Sequence, residues 1–522
     1  MATTCLIGID AGTTSARAAA FAPDGRLLAL ARRPTPTDRP RPDWAEHDAD
    51  ALWSAVAAAV REVREALPAD VEVAGIAPAT VGEAGLPVDR HGRALRPIIA
   101  WFDTRATGYA QVWEETVGAA RVYAVAGQTL DGLFGANKVM WVRDHEPEVW
   151  ARTAAWLSTE DWLLFRLTGE VATDYSMAAR TMLFDRDRGE WSAELLAAAG
   201  LDARLMPPVL PSGSVLAGLS AEAAAATGLP SGTRVVMGGH DHLCAAFVAR
   251  GGKPVPIDST GTAEALVTPA ASPPPGDPGL AAHVNCYRDV EPGQVALLSS
   301  VAFAGGLVDW LRRQVFRIGE DDPDAYARMM DEVRRPVRPN GLLCFPEFGR
   351  GASPRWDPAG ARGAFVGLTQ GHDRGDLLQA ALEATCFSLR HNLAWVEEHL
   401  SVAVERVRVL GGAVRNPVWV QMKADLTGRE IEVIDLPEAA ALGAAVLAGV
   451  GAGVYPSHAA GAVAVAPSGT VIRPDPGRQE AYRGVYEVWL RLPDSIGPLA
   501  RALAAGSSRA RLSGNADGGS SG

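Results

Sequence analysis

The stretch that decides the fold is IGIDAGTTSAR, at residues 7–17. An apolar run ends at Asp10, a turn through Gly12 follows, and a second apolar run begins at Ala16. The turn carries three hydroxyl residues, Thr13, Thr14 and Ser15. This pattern predicts a β-hairpin whose turn exposes backbone N–H groups and hydroxyls toward an anion.

Two charged side chains beside this turn indicate what the anion would be. Arg17 could pair with the terminal oxygens of a phosphate group. Asp10, at the end of the first strand, could hold Mg²⁺ through water, because hard cations prefer carboxylate and water ligands. The alternative is a polar hairpin in which the hydroxyls cap their own backbone. Residues 7–17 alone do not decide between these two interpretations.

A second stretch, DSTGT at residues 258–262, repeats this pattern. Again a strand end turns through a glycine, Gly261, with a hydroxyl residue, Thr262, beside it. Two such hairpins predict two related domains, each offering a phosphate loop. A chain of 522 residues also favours two domains, because single cores stop growing at roughly 250–300 residues. We place the domains at 1–250 and 251–505.

The rest of the chain alternates helices and strands, which is typical of α/β layering. A helix with apolar residues at three- and four-residue steps from Leu52 to Leu67 is predicted. It should begin at Asp48 or Asp50 and end before Pro68. Other predicted strands are 5–9, 16–21, 27–31, 71–77, 96–101, 255–258, 265–268 and 407–410. Other predicted helices are 243–248, 376–398, 417–426, 439–448 and 479–505.

Bulk composition excludes several classes of protein. The net charge of −12, without a Lys/Arg stripe, argues against nucleic-acid binding, which needs concentrated positive charge. No apolar run approaches the roughly 20 residues that span a bilayer, and we find no secretory signal at the N-terminus. Five cysteines without a CxxC pair predict free thiols, so we expect a cytoplasmic protein. Residues 506–522, rich in Gly, Ser and Arg, predict a disordered tail.

The second candidate site is GGHDH, at residues 238–242. Its glycines would let a substrate approach the backbone, and Asp241 would accept a hydroxyl proton during phosphoryl transfer. One alternative is a metal site, but alternate strand residues share a face, so Asp241 would point away from His240 and His242. The other alternative is that Asp241 caps the helix that follows. We favour the catalytic interpretation.

The third candidate is LGGAVRN, at residues 410–416, which contains Gly412 and Asn416. A strand that opens through two glycines onto a helix can receive a flat base against its backbone. Taken alone, the stretch is better explained as a plain strand–helix turn. It is not GxGxxG, and the nearest approach to that pattern, at residues 451–453, lacks the third glycine, so a dinucleotide site is poorly supported.

The last candidate group is Glu83 with Trp101, Asp103 and Arg105. Charged groups bind the hydroxyls of a polyol, and an aromatic face packs against its C–H groups. The alternative is a surface ion pair beside a half-buried Trp, which is the better explanation of these four residues taken alone.

The order of these motifs resembles the FGGY family of carbohydrate kinases. The most specific match is GAFVGLTQGHDRGDL, at residues 363–377, which fits the family's second signature. The preceding PRWDP, at residues 354–358, is also similar to family members. KVMWV, at residues 138–142, fits the first signature, whereas Leu133 and Gly135 depart from it. The resemblance extends from Ile7 to about residue 490.

This resemblance implies two actin-like, ribonuclease-H-like domains with the active site in the cleft between them. It implies ATP and Mg²⁺ as cofactors, with MgATP on the second domain and the sugar on the first. The implied roles are a metal-associated Asp10; a first phosphate loop with Thr13, Thr14 and Arg17; a second with Gly261 and Thr262; an adenosine pocket with Gly412 and Asn416; a catalytic base, Asp241; and a sugar site with Glu83, Trp101 and His242.

The substrate is less constrained by the resemblance. Glycerol kinases have Arg directly before the Glu that matches Glu83 and an aromatic residue near position 133, where this chain has Gly82 and Leu133. The stretch 80–85 also lacks the Met-His pair of typical xylulose kinases. We expect a ketose such as L-fuculose or xylulose, as in the fuculokinase-like branch, with glycerol, ribulose and gluconate as alternatives.

Two functions from other classes stay open at this point. An actin-like ATPase would hydrolyse ATP without a sugar acceptor. A sugar-binding regulator would transfer no phosphate, although the intact Asp10 and Asp241 argue against it. The expected partners are the sugar and ATP; family members often form homodimers, and no surface feature of this sequence argues for one.

Overall fold

The computed structural model of the chain describes residues 4–261, 263–319, 321–348 and 362–514. The chain forms two compact units. The first comprises Met1–Pro254, Val267–Leu297 and Leu436–Ser468. The second comprises Val255–Leu266, Leu298–Asp435 and Gly469–Gly522.

The units differ from the predicted domains in one respect. The first crossing, after Pro254, lies close to the predicted boundary at residue 250. The chain then returns twice to the first unit, which two continuous domains do not allow. The second return brings the helix Ala439–Ala452 against the strand Thr4–Ala11. Since these elements are more than 400 residues apart, no local sequence pattern could reveal the contact.

The main sheet of the first unit is built around the opening hairpin. Its strand order is Val215–Gly218, Arg234–Val236, Glu72–Thr80, Thr4–Ala11, Ser15–Phe21 and Leu27–Pro34. The short strand Gly239–His240 also pairs with Glu72–Thr80. Three of these strands run parallel to Glu72–Thr80, namely Thr4–Ala11, Arg234–Val236 and Gly239–His240. The three strands predicted in the first 31 residues are thereby confirmed.

Strand Thr4–Ala11 is buried along almost its whole length, as expected for a strand that is covered on both faces. On one face, Ile7 and Ile9 share a core with the helix Ala49–Ala66. On the other face, a Cβ at Gly8 would overlap the carbonyl oxygen of Ala441. Only glycine allows this close approach of helix and strand.

The helix Ala49–Ala66 resolves an alternative that the sequence left open. Asp48 is its N-cap and accepts a hydrogen bond from the backbone N–H of Ala51 at 2.7 Å, as capping requires. The helix ends at Leu67, directly before Pro68, which confirms the predicted stop.

The remaining elements of the first unit are short. Its helices are Tyr109–Thr116, Ala119–Ala126, Gly135–His145, Pro147–Trp150, Thr159–Thr168, Tyr175–Ala179, Ala193–Ala199, Ala221–Thr227, Asp241–Arg250, Gly279–Ala282 and His458–Ala464. Its further strands are Glu46–His47, Gly85–Val88, Ile98–Ile99, Ala155–Ser158, Thr173–Asp174, Phe184–Asp185, Glu190–Trp191, Val209–Leu210 and Val284–Arg288. The strand predicted at 96–101 was too long, because only Ile98–Ile99 pairs within its sheet.

Four neighbouring strands organise the second unit. They are, in spatial order, Ile257–Thr260, Arg406–Gly411, Glu430–Ile434 and Gly469–Ile472. The first three run parallel and the last is antiparallel. Other strands that begin, end or lie in this unit are Glu264–Ala270, Val295–Ala302, Leu343–Phe345 and Ala364–Val366. Its helices are Ala304–Leu311, Ala325–Asp331, Arg374–Leu400, Pro417–Thr427, Pro476–Trp489 and Leu492–Gly514.

The C-terminal region differs from the prediction. The helix expected over 479–505 is two helices, Pro476–Trp489 and Leu492–Gly514. The second continues beyond residue 505, so residues 506–514 are helical where a disordered tail was predicted. Residues 515–522 lie outside the described part of the chain. Among the described residues, every helix is too short or too polar to cross a bilayer.

Candidate active site

Three neighbouring strand ends bring the proposed catalytic residues of the first unit together. Asp10 and Gly239 each lie opposite Ala79, on the two sides of the strand Glu72–Thr80. Since paired strands are about 4.8 Å apart, the backbones of Asp10 and Gly239 are separated by roughly 10 Å. The carboxyl ends of these parallel strands meet at one edge of the sheet, where α/β proteins bind ligands. Asp241 directly follows the strand Gly239–His240, and Glu83 lies three residues after the end of Glu72–Thr80.

Asp10 lies in a chain of ion pairs at this edge. Arg17 Nη1 is 3.3 Å from a carboxylate oxygen of Asp10 and 3.0 Å from one of Glu438. Glu438 adopts a positive φ of 56°, which is uncommon for a residue other than glycine. Burial, followed by the charge of Asp241, raises the pKa of Asp10 to about 7, although Arg17 opposes the shift. A carboxyl group in this state needs a proton or a further cation beside it.

The first phosphate turn is half-buried at its glycine, Gly12. The N–H of Gly12 donates to the carbonyl of Ser15 at 3.1 Å, and a Cβ at Gly12 would meet no atom closer than 3.6 Å. Thr14 is exposed and the Ser15 side chain is buried. Trp101 Nε1 donates to Thr13 Oγ1 at 2.9 Å, so a predicted phosphate residue and a predicted sugar residue are in direct contact.

Buried polar groups fix the GGHDH turn. Glu160 accepts from the N–H of Gly238 at 3.0 Å, and Ser176 Oγ accepts from the N–H of His240 at 2.8 Å. A Cβ at Gly238 would overlap the carbonyl oxygen of Pro78. Packing against the neighbouring strand therefore requires glycine at position 238, whereas approach of a substrate to this turn stays a prediction.

Asp241 is the first residue of the helix Asp241–Arg250. The strand argument against a His-Asp-His cluster was wrong, because the strand ends at His240, whose Nε2 lies 3.4 Å from Asp241 Oδ1. Burial, the charge of Arg180 and that of His242 hold the pKa of His240 well below its usual value. In the part of the chain that the structure describes, no group of three His, Cys, Asp or Glu side chains could hold a metal ion.

The Asp241 carboxylate is partly exposed to solvent. Its side chain is 22% exposed, and Oδ1 accepts from the N–H of His242 at 2.6 Å. Burial raises its pKa, while His242 and the cation of Arg180 oppose the shift. The exposed His242 follows it on the first turn of the helix.

Glu83 is held by a residue that sequence reasoning missed. Its side chain, 10% exposed, forms an ion pair with Arg180, and its backbone has a positive φ of 51°. Arg180 also donates to Gln128 Oε1 at 3.4 Å and lies 5.5 Å from the ring centroid of Tyr287. These partners are up to about 200 residues apart in the chain, so no spacing rule points to them.

Asp103 and Arg105 belong to the protein interior. Their side chains are 0% and 1% exposed and form an ion pair at 2.7 Å. Asp103 also accepts from the N–H of Ala45 at 2.6 Å, and Arg105 pairs with Glu46 at 2.8 Å. The pair is therefore structural, and it is buried where the alternative placed it at the surface.

In the second unit, the other two predicted loops lie side by side. Thr260 pairs with Gly411 at the ends of neighbouring parallel strands. Gly261 is exposed, and a Cβ there would be 3.6 Å from the nearest atom. Gly411 has a φ of 95°, and a Cβ there would overlap the carbonyl oxygen of Thr260. Thr262 and the motif at 354–358 lie outside the described residues.

The two adenosine candidates have different surroundings. Gly412 is exposed and begins a turn of 3₁₀ helix. Asn416 is the N-cap of the helix Pro417–Thr427, and its Oδ1 accepts from the N–H of Trp419 at 3.1 Å. Asn416 therefore has at least a capping role.

Sequence profiles of known families decide the identity. The N-terminal domain of the FGGY family of carbohydrate kinases matches residues 5–248. The C-terminal domain of the same family matches residues 259–452. The chain belongs to the FGGY family of carbohydrate kinases.

Named relatives of this FGGY kinase phosphorylate different acceptors. A glycerol kinase of Citrifermentans bemidjiense is 32% identical over 471 residues, which cover 87% of this chain and 91% of that protein. An L-fuculokinase of Escherichia coli (strain K12) is 29% identical over 458 residues, which cover 87% and 93%. The chain is thus an ATP-dependent carbohydrate kinase.

Solved structures confirm the predicted pair of actin-like domains. Xylulose kinase from Rhodospirillum rubrum has a TM-score of 0.85 at 28% identity, and the match covers 95% of this chain and 99% of that one. Plasmodium falciparum glycerol kinase with ADP has a TM-score of 0.81 at 21% identity, with coverage of 94% and 98%. The second likeness concerns the fold alone. The predicted location of the FGGY active site between the domains stays a prediction.

Proposed function

We propose that this kinase transfers the γ-phosphate of ATP to a primary hydroxyl of a neutral polyhydroxy compound, with Asp241 as the general base. The observation that carries the proposal is the grouping of Asp10, Glu83 and Asp241 at adjacent parallel strand ends of the first unit. Sugar phosphorylation needs three carboxylates of this kind. Asp10 would hold the metal ion that binds the phosphates, Glu83 would bind substrate hydroxyls, and Asp241 would accept the proton of the reacting hydroxyl.

The two arginines near the proposed sugar site are already paired with carboxylates, which favours a neutral substrate over a sugar acid. Among the described residues of this region, Arg17 pairs with Asp10 and Glu438, and Arg180 pairs with Glu83. A sugar carboxylate would have to compete with the acidic partner of one of these partly buried pairs, which is costly. Gluconate is therefore the least favoured of the candidate acceptors.

Between the neutral candidates, two features bear on the choice. A Cβ at Gly82 would lie only 3.0 Å from Arg180 Cγ and 3.2 Å from His240 Nε2, so a side chain at position 82 would have to displace these two residues. Trp101, with its Nε1 bound to Thr13, offers an aromatic face to C–H groups. We place ketoses such as L-fuculose and xylulose first, with glycerol and ribulose as alternatives, and the named relatives support glycerol equally well.

In the proposed reaction, the acceptor hydroxyl attacks the γ-phosphorus. A new O–P bond forms, the bond between the γ-phosphorus and the bridging oxygen of ADP breaks, and the hydroxyl proton passes to Asp241. The first turn, with Thr13, Thr14, Ser15 and Arg17, and the second turn, with Gly261 and Thr262, would bind the phosphates through backbone N–H groups and hydroxyls. Gly412 and Asn416 would border the adenosine, and His242 the acceptor.

Mg²⁺ fits this arrangement at Asp10. The ion is usually held in proteins by one or two carboxylates, with substrate phosphates and water completing its shell. The partly exposed Asp10 carboxyl, with its pKa raised to about 7, is a group that a divalent cation would stabilise in its ionised form. When bound, Mg²⁺ would neutralise charge that develops on the phosphate oxygens.

The variant Asp241→Asn tests the proposal. It should lower kcat by about 10²–10⁴, the usual contribution of a positioned base, with little change in KM for ATP. The assay follows ADP release with L-fuculose, xylulose, ribulose, glycerol and gluconate, and without acceptor. The exposed Asp187, 67% exposed, provides the control variant Asp187→Asn. Near-normal turnover of Asp241→Asn, or ADP release that needs no acceptor, would refute the proposal.

A further inference from the structure

Lysine usage in this chain is highly selective. Only three of its 49 basic side chains are lysines, Lys138, Lys253 and Lys423. Lys253 is exposed, whereas the other two are 0% exposed. Buried lysines are rare because burying an ammonium group without partners is very unfavourable. Lys138 and Lys423 must therefore be held by specific partners.

Each buried lysine donates to three oxygens. Lys138 Nζ lies 2.9 Å from the carbonyl oxygen of Glu83, 3.2 Å from that of Trp101 and 2.6 Å from that of Leu133. An ammonium group has three donors on one atom, which suits three converging acceptors, whereas the planar fork of Arg does not. With neutral partners, burial lowers the pKa of Lys138 to about 7.

The acceptors of Lys138 come from three separate segments of the chain. Glu83 and Trp101 are two of the proposed sugar-binding residues, and Lys138 contacts only their backbone carbonyls, so it does not occupy their side chains. Leu133 lies two residues before the helix Gly135–His145, which carries Lys138. One ammonium group thereby fixes three loop segments against one helix.

Lys423 also has three acceptors, but they are side chains around the second phosphate loop. Its Nζ lies 2.9 Å from Thr260 Oγ1 and 2.9 Å from Glu264 Oε1, and it forms an ion pair with Asp258. These acceptors come from both sides of the turn at Gly261. The acceptor side chains of Asp258 and Glu264 are both 0% exposed.

A comparison of the two hairpins shows why this loop needs a cation. When the turns are aligned on their glycines, Asp258 matches Ile9, and Ser259 matches Asp10. Alternate strand residues face opposite sides, so Asp258 occupies the position that Ile9 uses to enter the core. A carboxylate there requires a buried partner, and Lys423 supplies it.

We propose that the two buried lysines are positioning residues for one substrate each. Lys138 sets the relative positions of the sugar-binding segments, and Lys423 sets the shape of the second phosphate loop. The inference rests on the proposed assignment of Glu83 and Trp101 to the sugar and of the loop at Gly261 to ATP. It predicts that loss of each lysine affects one substrate and spares the other.

The test compares Lys138→Met and Lys423→Met, with Lys253→Met as the matched control. Acceptor KM is measured with whichever compound of the panel wild type phosphorylates, and ATP KM is measured separately. Since hydrogen bonds to a charged group are involved, we expect about a 10-fold or larger rise in one KM value. Lys138→Met should raise the KM for the acceptor, and Lys423→Met should raise the KM for ATP. In each variant, the KM for the other substrate should change less than about 2-fold. The control should match wild type.

Other outcomes overturn the inference. An equal rise of both KM values in each variant would mean a general structural role, and no change would mean no role. Where a Met variant does not fold, the Arg variant at that position, which keeps the charge but not the three-donor geometry, should show the same separation at smaller size. If wild type phosphorylates no compound of the panel, the proposed function fails. Calorimetry with ADP then still tests the lysine inference, because only the Lys423 variant should bind ADP more weakly.

Discussion

Replacing Asp10 by Asn probes the electrostatic state of the proposed metal site. Burial and Asp241 raise the pKa of Asp10 from 3.8 to about 7, and the side chain is only 13% exposed. Between these pH values the folded protein binds a proton that the unfolded chain has released, so its stability falls as the pH rises. At 1.36 kcal/mol per pKa unit, the full loss is about 4 kcal/mol above pH 7.

Asn carries no charge, so the variant avoids this loss while Arg17 keeps Glu438 as a partner. The free energy of unfolding of Asp10→Asn, relative to wild type, should therefore grow by about 2–3 kcal/mol from pH 5 to pH 8. Kinase activity should fall at the same time, because the proposed metal-associated carboxylate is gone. Stability and activity are then expected to move in opposite directions.

The assay is urea unfolding followed by tryptophan fluorescence at pH 5 and pH 8, without Mg²⁺ or nucleotide. Asp187→Asn, at an exposed position, is the control and should show the same small difference at both pH values. If the difference between Asp10→Asn and wild type is also independent of pH, the Asp10 carboxyl has an ordinary pKa and the electrostatic reasoning is refuted.

Two further predictions concern the Asp241 turn and its surroundings. Arg180→Met should move the acidic limb of the pH profile of kcat/KM to higher pH, because Arg180 lowers the pKa of Asp241. An acidic limb at the same pH as in wild type would contradict this. The control is Arg188→Met, at a 75% exposed position. Gly238→Ala should destabilise the protein by about 2 kcal/mol or more through backbone overlap. Gly12→Ala, whose added Cβ would lie 3.6 Å from the nearest atom, should melt near wild type. Thermal unfolding compares the two, and equal melting temperatures would contradict the packing argument.

Local patterns predicted the secondary structure near the site because the relevant forces act over a few residues. Apolar runs on both sides of a glycine turn are enough for the opening hairpin, and Asp48 or Asp50 as cap placed the start of the helix Ala49–Ala66 within one turn. The same rules failed at 238–242, where a strand was assumed to continue. A change of one residue in the length of this strand changes the directions of the Asp241 and His240 side chains. Where the strand ends depends on its pairing with the neighbouring strand.

Sequence reasoning found the acidic residues of the proposed site and Arg17, but it missed Arg180 and the contacts of Lys423. Asp10 lies near the end of an apolar strand, and Glu83 and Asp241 come within a few residues of a strand end, which made them visible. Arg180 reaches Glu83 from 97 residues away, and Lys423 reaches Asp258 from 165 residues away. When the cation lies far away in the sequence, the residues around the carboxylate do not indicate which cation neutralises it.

The amino-acid order alone was sufficient for the two glycine hairpins, the α/β class and the family, since these depend on short-range periodicity and on motifs read along the chain. Only the folded chain decided that residues 436–468 return to the first unit, that Glu438 shares Arg17 with Asp10, and which lysines are buried. The physical reason is that burial and ion pairing are properties of the space between elements, which long-range packing creates.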